Sequence, residues 1–135
     1  PHIKSTTTNW TRDSLKRHFE NSTDPMEGFW DYFDRNIPGK GVIIGGKYSL
    51  AIVKTETGYD IIYISGATSS AENWTTGMKK GCITPTRFVG NFNLIWYDSN
   101  TEAMSDDNYV QLVDGSILEA HFPVEKSMIR FVKRK

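Results

Sequence analysis

Gly28-Phe-Trp-Asp-Tyr-Phe-Asp-Arg35 is where the chain changes its periodicity. Ahead of it, Asn9-Trp-Thr-Arg-Asp-Ser-Leu-Lys-Arg-His-Phe-Glu20 sets Leu15 and Phe19 at i and i+4, with Trp10 beside them and Asp13 where a helix N-terminus favours an anion. That spacing predicts one short amphipathic helix over 9–20. Asn21-Ser-Thr-Asp-Pro25 ends it, because Asn, Ser and Asp prefer turns and the residue before proline is pushed out of the helical region. From Gly28 onward the apolar residues recur every second position, the period of a strand whose side chains alternate between two faces. The remainder of the chain holds no second helix of convincing length.

Working outward, segments 28–35, 47–55, 58–65, 78–84, 87–97, 108–113, 116–122 and 125–133 read as strands. Several connections, among them Glu56-Thr-Gly58, Asp114-Gly115 and Pro123-Val124, have hairpin length. A polar loop over 66–77 and an acidic loop over 98–107 are longer. Successive strands without crossover helices predict an antiparallel meander, and such a sheet loses its exposed edges most simply by closing on itself. The expected fold is all-β: an eight-stranded antiparallel up-and-down barrel with one short N-terminal helix, forming a single domain over 9–135 behind a tether of residues 1–8. Pro85 belongs at a bulge or strand boundary rather than inside a central ladder.

At 135 residues the chain is long enough for one domain that buries about two-thirds of its unfolded surface. Lys plus Arg and Asp plus Glu number 16 each, so there is no global positive field to hold nucleic acid. The lone Cys82 allows no internal disulfide and no Cys-x-x-Cys zinc site. No run of apolar residues approaches the ~20 of a membrane-spanning helix, and the N-terminus lacks the basic-then-apolar order of a secretory signal. The first residue, Pro1, is expected of a processed protein or of a piece of a longer one. Gly41-Val-Ile-Ile-Gly-Gly-Lys47 imitates a phosphate-binding loop but places Tyr48 where that loop needs a Ser or Thr hydroxyl. The adjoining Tyr48-Ser-Leu-Ala-Ile-Val-Lys54 is β-branched and alternating, not the helix whose amides would face a phosphate. Gly39, Gly41, Gly45 and Gly46 are therefore expected in turns of a loop closing one barrel end.

Gly28-Phe-Trp30, opening the first strand after a short helix, resembles the Gly-x-Trp signature of lipocalins and their calycin relatives. The resemblance implies that Trp30 plugs one barrel end and that a last-strand arginine, here Arg130 in Ser127-Met-Ile-Arg-Phe-Val132, packs across it. The wider pattern is similar to bacterial calycin-like domains of unknown function, some joined to trypsin-like protease domains: Leu15-Lys16 through Glu20-Asn-Ser-Thr-Asp-Pro-Met-Glu-Gly-Phe-Trp30, then Lys47-Tyr-Ser-Leu-Ala-Ile-Val-Lys54, Trp74-Thr-Thr-Gly-Met-Lys-Lys-Gly81 and Phe131-Val-Lys133. That likeness implies a bacterial, exported protein, periplasmic or extracellular. Lipocalins commonly carry a helix near the C-terminal strand, and this sequence has none.

Phe88, Phe92, Leu94 and Trp96 share one face of the fifth strand, the face expected to look inward. Trp30, Tyr63, Phe92 and Trp96 then either fill a solid core or line an apolar pocket, because an eight-stranded barrel is just wide enough for either. Trp74, in a polar loop, caps the barrel mouth or is presented for stacking, as sugar-binding modules and protein interfaces use tryptophan. His2, His18 and His121 lack metal-ligand spacing, so no metal or cofactor is expected. Cys82 with His121 lacks an orienting group or oxyanion loop, so no catalytic residue is assigned. If the first and last strands pair, Asp31 or Asp34 approaches Arg130 or Lys133. Lys133-Arg-Lys135 is expected to be a solvated tail. The expected function is a monomeric, non-catalytic domain that holds a small apolar or amphiphilic ligand in its interior, with a cavity of more than a few water volumes as its requirement. The alternatives are a module packing on a neighbouring protein domain, such as a protease, and carbohydrate binding through Trp74 or Tyr109.

Overall fold

The computed structural model describes residues 4–37, 39–44, 48–68, 70–104 and 107–134; the readings placed on Pro1, His2, Gly45, Gly46, Lys47 and Lys135 lie outside them. Among the described residues, helix α1 (Arg12–Glu20) is followed by nine strands: β1 (Gly28–Ile37), β2 (Gly41–Ile44), β3 (Ser49–Lys54), β4 (Tyr59–Ser65), β5 (Lys79–Pro85), β6 (Asn91–Trp96), β7 (Tyr109–Val113), β8 (Ile117–Phe122) and β9 (Ser127–Lys133). Each of β3 to β9 pairs antiparallel with the next, β1 pairs with β3, and β9 returns to β1, so eight strands close into an up-and-down barrel. The ninth, β2, is a correction to the expected glycine loop. It folds back on β1, pairing Asp34–Ile37 with Gly41–Ile44 beyond the stretch that β3 covers.

The first turn of α1 is closed by Thr11, which accepts from the Ser14 amide while the Ser14 hydroxyl accepts from the Thr11 amide. Its apolar face lies outside the barrel: Leu15, with Trp10 and Phe19, covers Ala51, Val53, Ile62 and Ile64 of β3 and β4. These two strands are consequently buried on both faces, whereas β8, with no helix across it, alternates strictly. Glu27 fastens the helix to the sheet. Its carboxylate accepts from the Ser22 hydroxyl and the Lys54 amide and lies 2.6 Å from His18 Nε2. Although burial pushes the group upward, these donors hold its pKa below the usual value.

Residues 4–8 are not a free tether. Ser5, Thr8 and Lys79 donate backbone bonds to Thr101, Gly77 and Thr6, which lays the segment against β5 and the loop beyond β6. The polar Thr run carries no apolar signal, and its anchorage is made by the main chain.

The β1–β9 seam carries the ion pairs expected of closure. Arg130 grips Asp34 with two donors, Nε at 2.8 Å, and holds that carboxyl below the usual range. Arg134 pairs with Asp31 and Ser49, so this part of the basic end is engaged and not simply solvated. Arg130 does not pack across Trp30. It lies over Phe33 on the outside, and the cation beside the Trp30 indole is Lys133, 5.8 Å from the ring, which also donates to the Pro25 carbonyl. The register explains this, since Trp30 faces Lys133 across the seam while Asp34 faces Arg130.

Candidate functional site

The barrel interior divides into two ends. Around Trp30, which is fully buried and donates from Nε1 to the Met26 carbonyl, Met26, Leu50, Ile52, Ile61, Leu118 and Phe131 form a buried cluster, and Tyr59 meets Phe92 edge to face at 5.9 Å. At the opposite end a cavity of about 620 Å³ opens among Tyr32, Arg35, Tyr48, Trp74, Lys80, Trp96, Met104, Phe122 and Ile129, with Ala67, Asp98, Ser99, Glu125 and Ser127 toward its rim.

Of the candidate ligand-binding residues, Trp96, expected inside, and Trp74, expected at the mouth, line this cavity. Tyr63 stands behind it, 5.5 Å from Trp74 and 5.8 Å from Tyr48. Trp30, Gly28 and Phe92 belong to the packed end instead, because they lie where β1 and β6 begin and the cavity lies where those strands finish. Trp74 is only 5 % exposed and its indole donates to the Ser99 carbonyl, so it walls the mouth and offers no open stacking face. Phe88, counted on the inward face, sits in the β5–β6 turn and is 70 % exposed.

Two cations that alternation would have pointed outward define the site. Both are carried inside by β-bulges, where one extra residue shifts the inward set by one position. In β1 the register slips between Tyr32 and Asp34. Phe33 becomes the extra residue, and Arg35 and Ile37 reach the cavity in place of Asp34 and Asn36. In β5 the slip falls between the pairs Ile61↔Gly81 and Ile62↔Lys79, so Lys80 is the extra residue; it turns in while Lys79 turns out to Asp60, 3.5 Å away. Gly81 permits the approach of β6, since a Cβ there would stand 2.3 Å from the Ile95 carbonyl oxygen.

Lys80 is 4 % exposed. Its ammonium donates to the Tyr97 carbonyl and lies 4.2 Å from the Trp74 ring, 4.9 Å from Trp96 and 5.6 Å from Tyr48. Burial lowers its pKa to about 7, with Asp98 opposing the shift and Arg35 adding to it. Burial likewise raises the Tyr48 phenol. Arg35 has its Cζ 6.0 Å from the Tyr32 ring, and among the described residues its buried Nε has no hydrogen-bond partner, nor does the buried Asn108 side-chain amide. Asp98 is occupied otherwise, its Oδ1 accepting from the Asn100 and Glu102 amides.

Comparison with protein-family models, curated proteins and solved structures returns no match. The fold and the geometry of this end therefore carry the functional reading alone.

The remaining sequence candidates lie elsewhere. Cys82 faces Asp60 and Ile95, and burial raises its thiol pKa, which disfavours the nucleophilic thiolate. His121 stacks on Tyr109 at 4.5 Å and lies 3.2 Å from Glu119, three strands from Cys82. Among the described residues no group of three or more His, Cys, Asp or Glu is placed to hold a metal ion, and no helix is long and apolar enough to cross a membrane.

Proposed function

We propose that this chain is a non-catalytic, lipocalin-like binding domain that takes one small amphiphilic molecule into the open end of its barrel. The observation that carries the reading is the cavity of about 620 Å³, within the range of roughly 300–1,000 Å³ typical of small-molecule sites and lined by aromatic rings with a few polar groups. A cavity of this size is far above a few water volumes, the requirement that ligand binding sets. The lipocalin likeness has its support in the Gly28-Phe-Trp30 entry to the first barrel strand and in the last-strand cation beside the indole, with Lys133 in the arginine's place. An exported location follows from that likeness and is proposed with it.

Titration with the neutral dye Nile red tests the reading. Saturable fluorescence enhancement at one dye per chain is expected, weakened about tenfold by Ala67→Trp at the rim, since a filled mouth removes the apolar contacts that bind it. Absence of saturable binding, or binding indifferent to Ala67→Trp, would overturn it. Docking on a neighbouring protein domain is a second reading, favoured by Phe88 and Val89, which stand 70 % and 101 % exposed on one turn. Loss of partner association in Phe88→Ser with dye binding intact would support that use.

A further inference from the structure

We propose that the molecule held in this cavity carries a single acidic group, a carboxylate or its equivalent, seated between Lys80 and Arg35 at the inner wall. The inference rests on the ligand-binding reading and assigns the chemistry of the ligand's polar end.

Three observations lead to it. First, the inward cations are placed by two separate irregularities, the bulge at Phe33 and the bulge at Lys80, in strands three places apart round the barrel. Bulges re-aim side chains next to functional sites, and two of them delivering the same charge to one space is a directed arrangement. Second, neither cation is ion-paired within 4.0 Å among the described residues. The Nε of Arg35 is buried without an acceptor, and the Lys80 ammonium has one carbonyl and otherwise ring faces. An anion supplies acceptors to both, and Arg35 presents the planar donor set that matches a carboxylate. Third, the aromatic cage that would attract a cationic ligand is already occupied by Lys80, so Trp74, Trp96 and Tyr48 are committed to the protein's own ammonium. A positively charged headgroup would meet two like charges instead.

The charged and titratable groups facing Lys80 are Arg35 from β1, Asp98 from the loop after β6 and Tyr48 ahead of β3, with Glu125 at the rim. Asp98, whose Oδ1 accepts from loop amides, favours the ammonium from beyond ion-pair distance, and Glu125 is exposed. Burial and Arg35 leave the empty site's ammonium with a pKa of about 7. A bound anion favours the protonated form, so binding takes up protons near neutral pH and weakens as pH rises through that region.

The test is competition against Nile red by dodecanoate, dodecanol and dodecyltrimethylammonium, at about pH 6 and about pH 9, on the whole chain. Dodecanoate is expected to bind at least about tenfold more tightly than dodecanol at the lower pH, and to lose most of that advantage at the higher. Lys80→Met is expected to weaken dodecanoate about tenfold while changing dodecanol less than about threefold, which also shows that the variant is folded. Arg35→Gln is the second variant, with a similar loss for dodecanoate that persists at both pH values. Equal binding of dodecanoate and dodecanol, or preference for the ammonium, would overturn the acidic headgroup while leaving the barrel a binding domain. Binding of Nile red displaced by none of the three, or no dye binding at all, would overturn both.

Discussion

At one end of the barrel Met26, Trp30, Tyr59, Phe92 and Phe131 interlock; at the other, Tyr48, Trp74, Trp96 and Phe122 stand around about 620 Å³ of space. The residue types are nearly the same, so hydrophobicity does not distinguish the two ends. Strand regularity does. At the packed end the ladders run without a register shift, and the indole N–H of Trp30 is satisfied by the carbonyl four residues earlier. At the open end β1 and β5 each carry an extra residue, and each turns a cation into the interior. Buried charge cannot close up like apolar side chains, because each group keeps its demand for hydrogen-bond partners. The closed end is thus built for stability, and the open end is where we propose that a ligand sits.

Trp30→Ala should produce the largest effect, about 3–5 kcal/mol lost in urea denaturation, as expected for a large aromatic removed from a filled site. A loss below about 1 kcal/mol would mean that the two ends are equally loose. Gly81→Ala comes next. Its new Cβ meets the Ile95 carbonyl, so the β5–β6 ladder must shift, at a cost of about 1–3 kcal/mol. The same variant should weaken dodecanoate binding, because it disturbs the bulge that aims Lys80.

That bulge also marks where the sequence stopped being legible. Alternation counted back from Ile83 puts Gly81 and Lys79 inside and Lys80 outside; alternation counted from Trp30 puts Asp34 inside and Arg35 outside. Bulges depend on how two strands meet, which no window of one strand records. The barrel itself, the short helix, the meeting of the first strand with the last and the inward set Phe92, Leu94 and Trp96 were readable, because each follows from local period or strand order; which acid meets which cation at that seam was not, because the bulge sets it. Phe88 misled for a related reason: it continues the period of β6 but belongs to the turn before it. The double burial of β3 and β4 and the anchorage of residues 4–8 arise from what packs across them, not from their own pattern.

Two pH effects sharpen the contrast. Lys80 has a lowered pKa in the folded protein, about 7 against 10.5, so the unfolded chain binds the extra proton between those values and stability rises with pH across them. Thermal melts should show that rise in the wild type, and Lys80→Met should remove it. At the seam, Asp34 has a lowered pKa; its contribution is complete above the ordinary carboxyl value of 3.8 and is lost as pH falls through the folded value. The stability gap between wild type and Asp34→Asn should therefore narrow on acidification below about pH 4. The smallest effect belongs to Phe88→Ser, within about 0.5 kcal/mol, because the side chain is 70 % exposed and packs on nothing that folding must keep.

The four tryptophans offer the most direct measurement, since each indole N–H gives its own signal in a heteronuclear NMR spectrum. Titration with dodecanoate should shift the signals of Trp74 and Trp96 to saturation at one ligand per chain and leave Trp10 and Trp30 in place. Shifts confined to Trp10 or Trp30, or equal small drifts of all four without saturation, would contradict a barrel that is sealed at one end and receptive at the other.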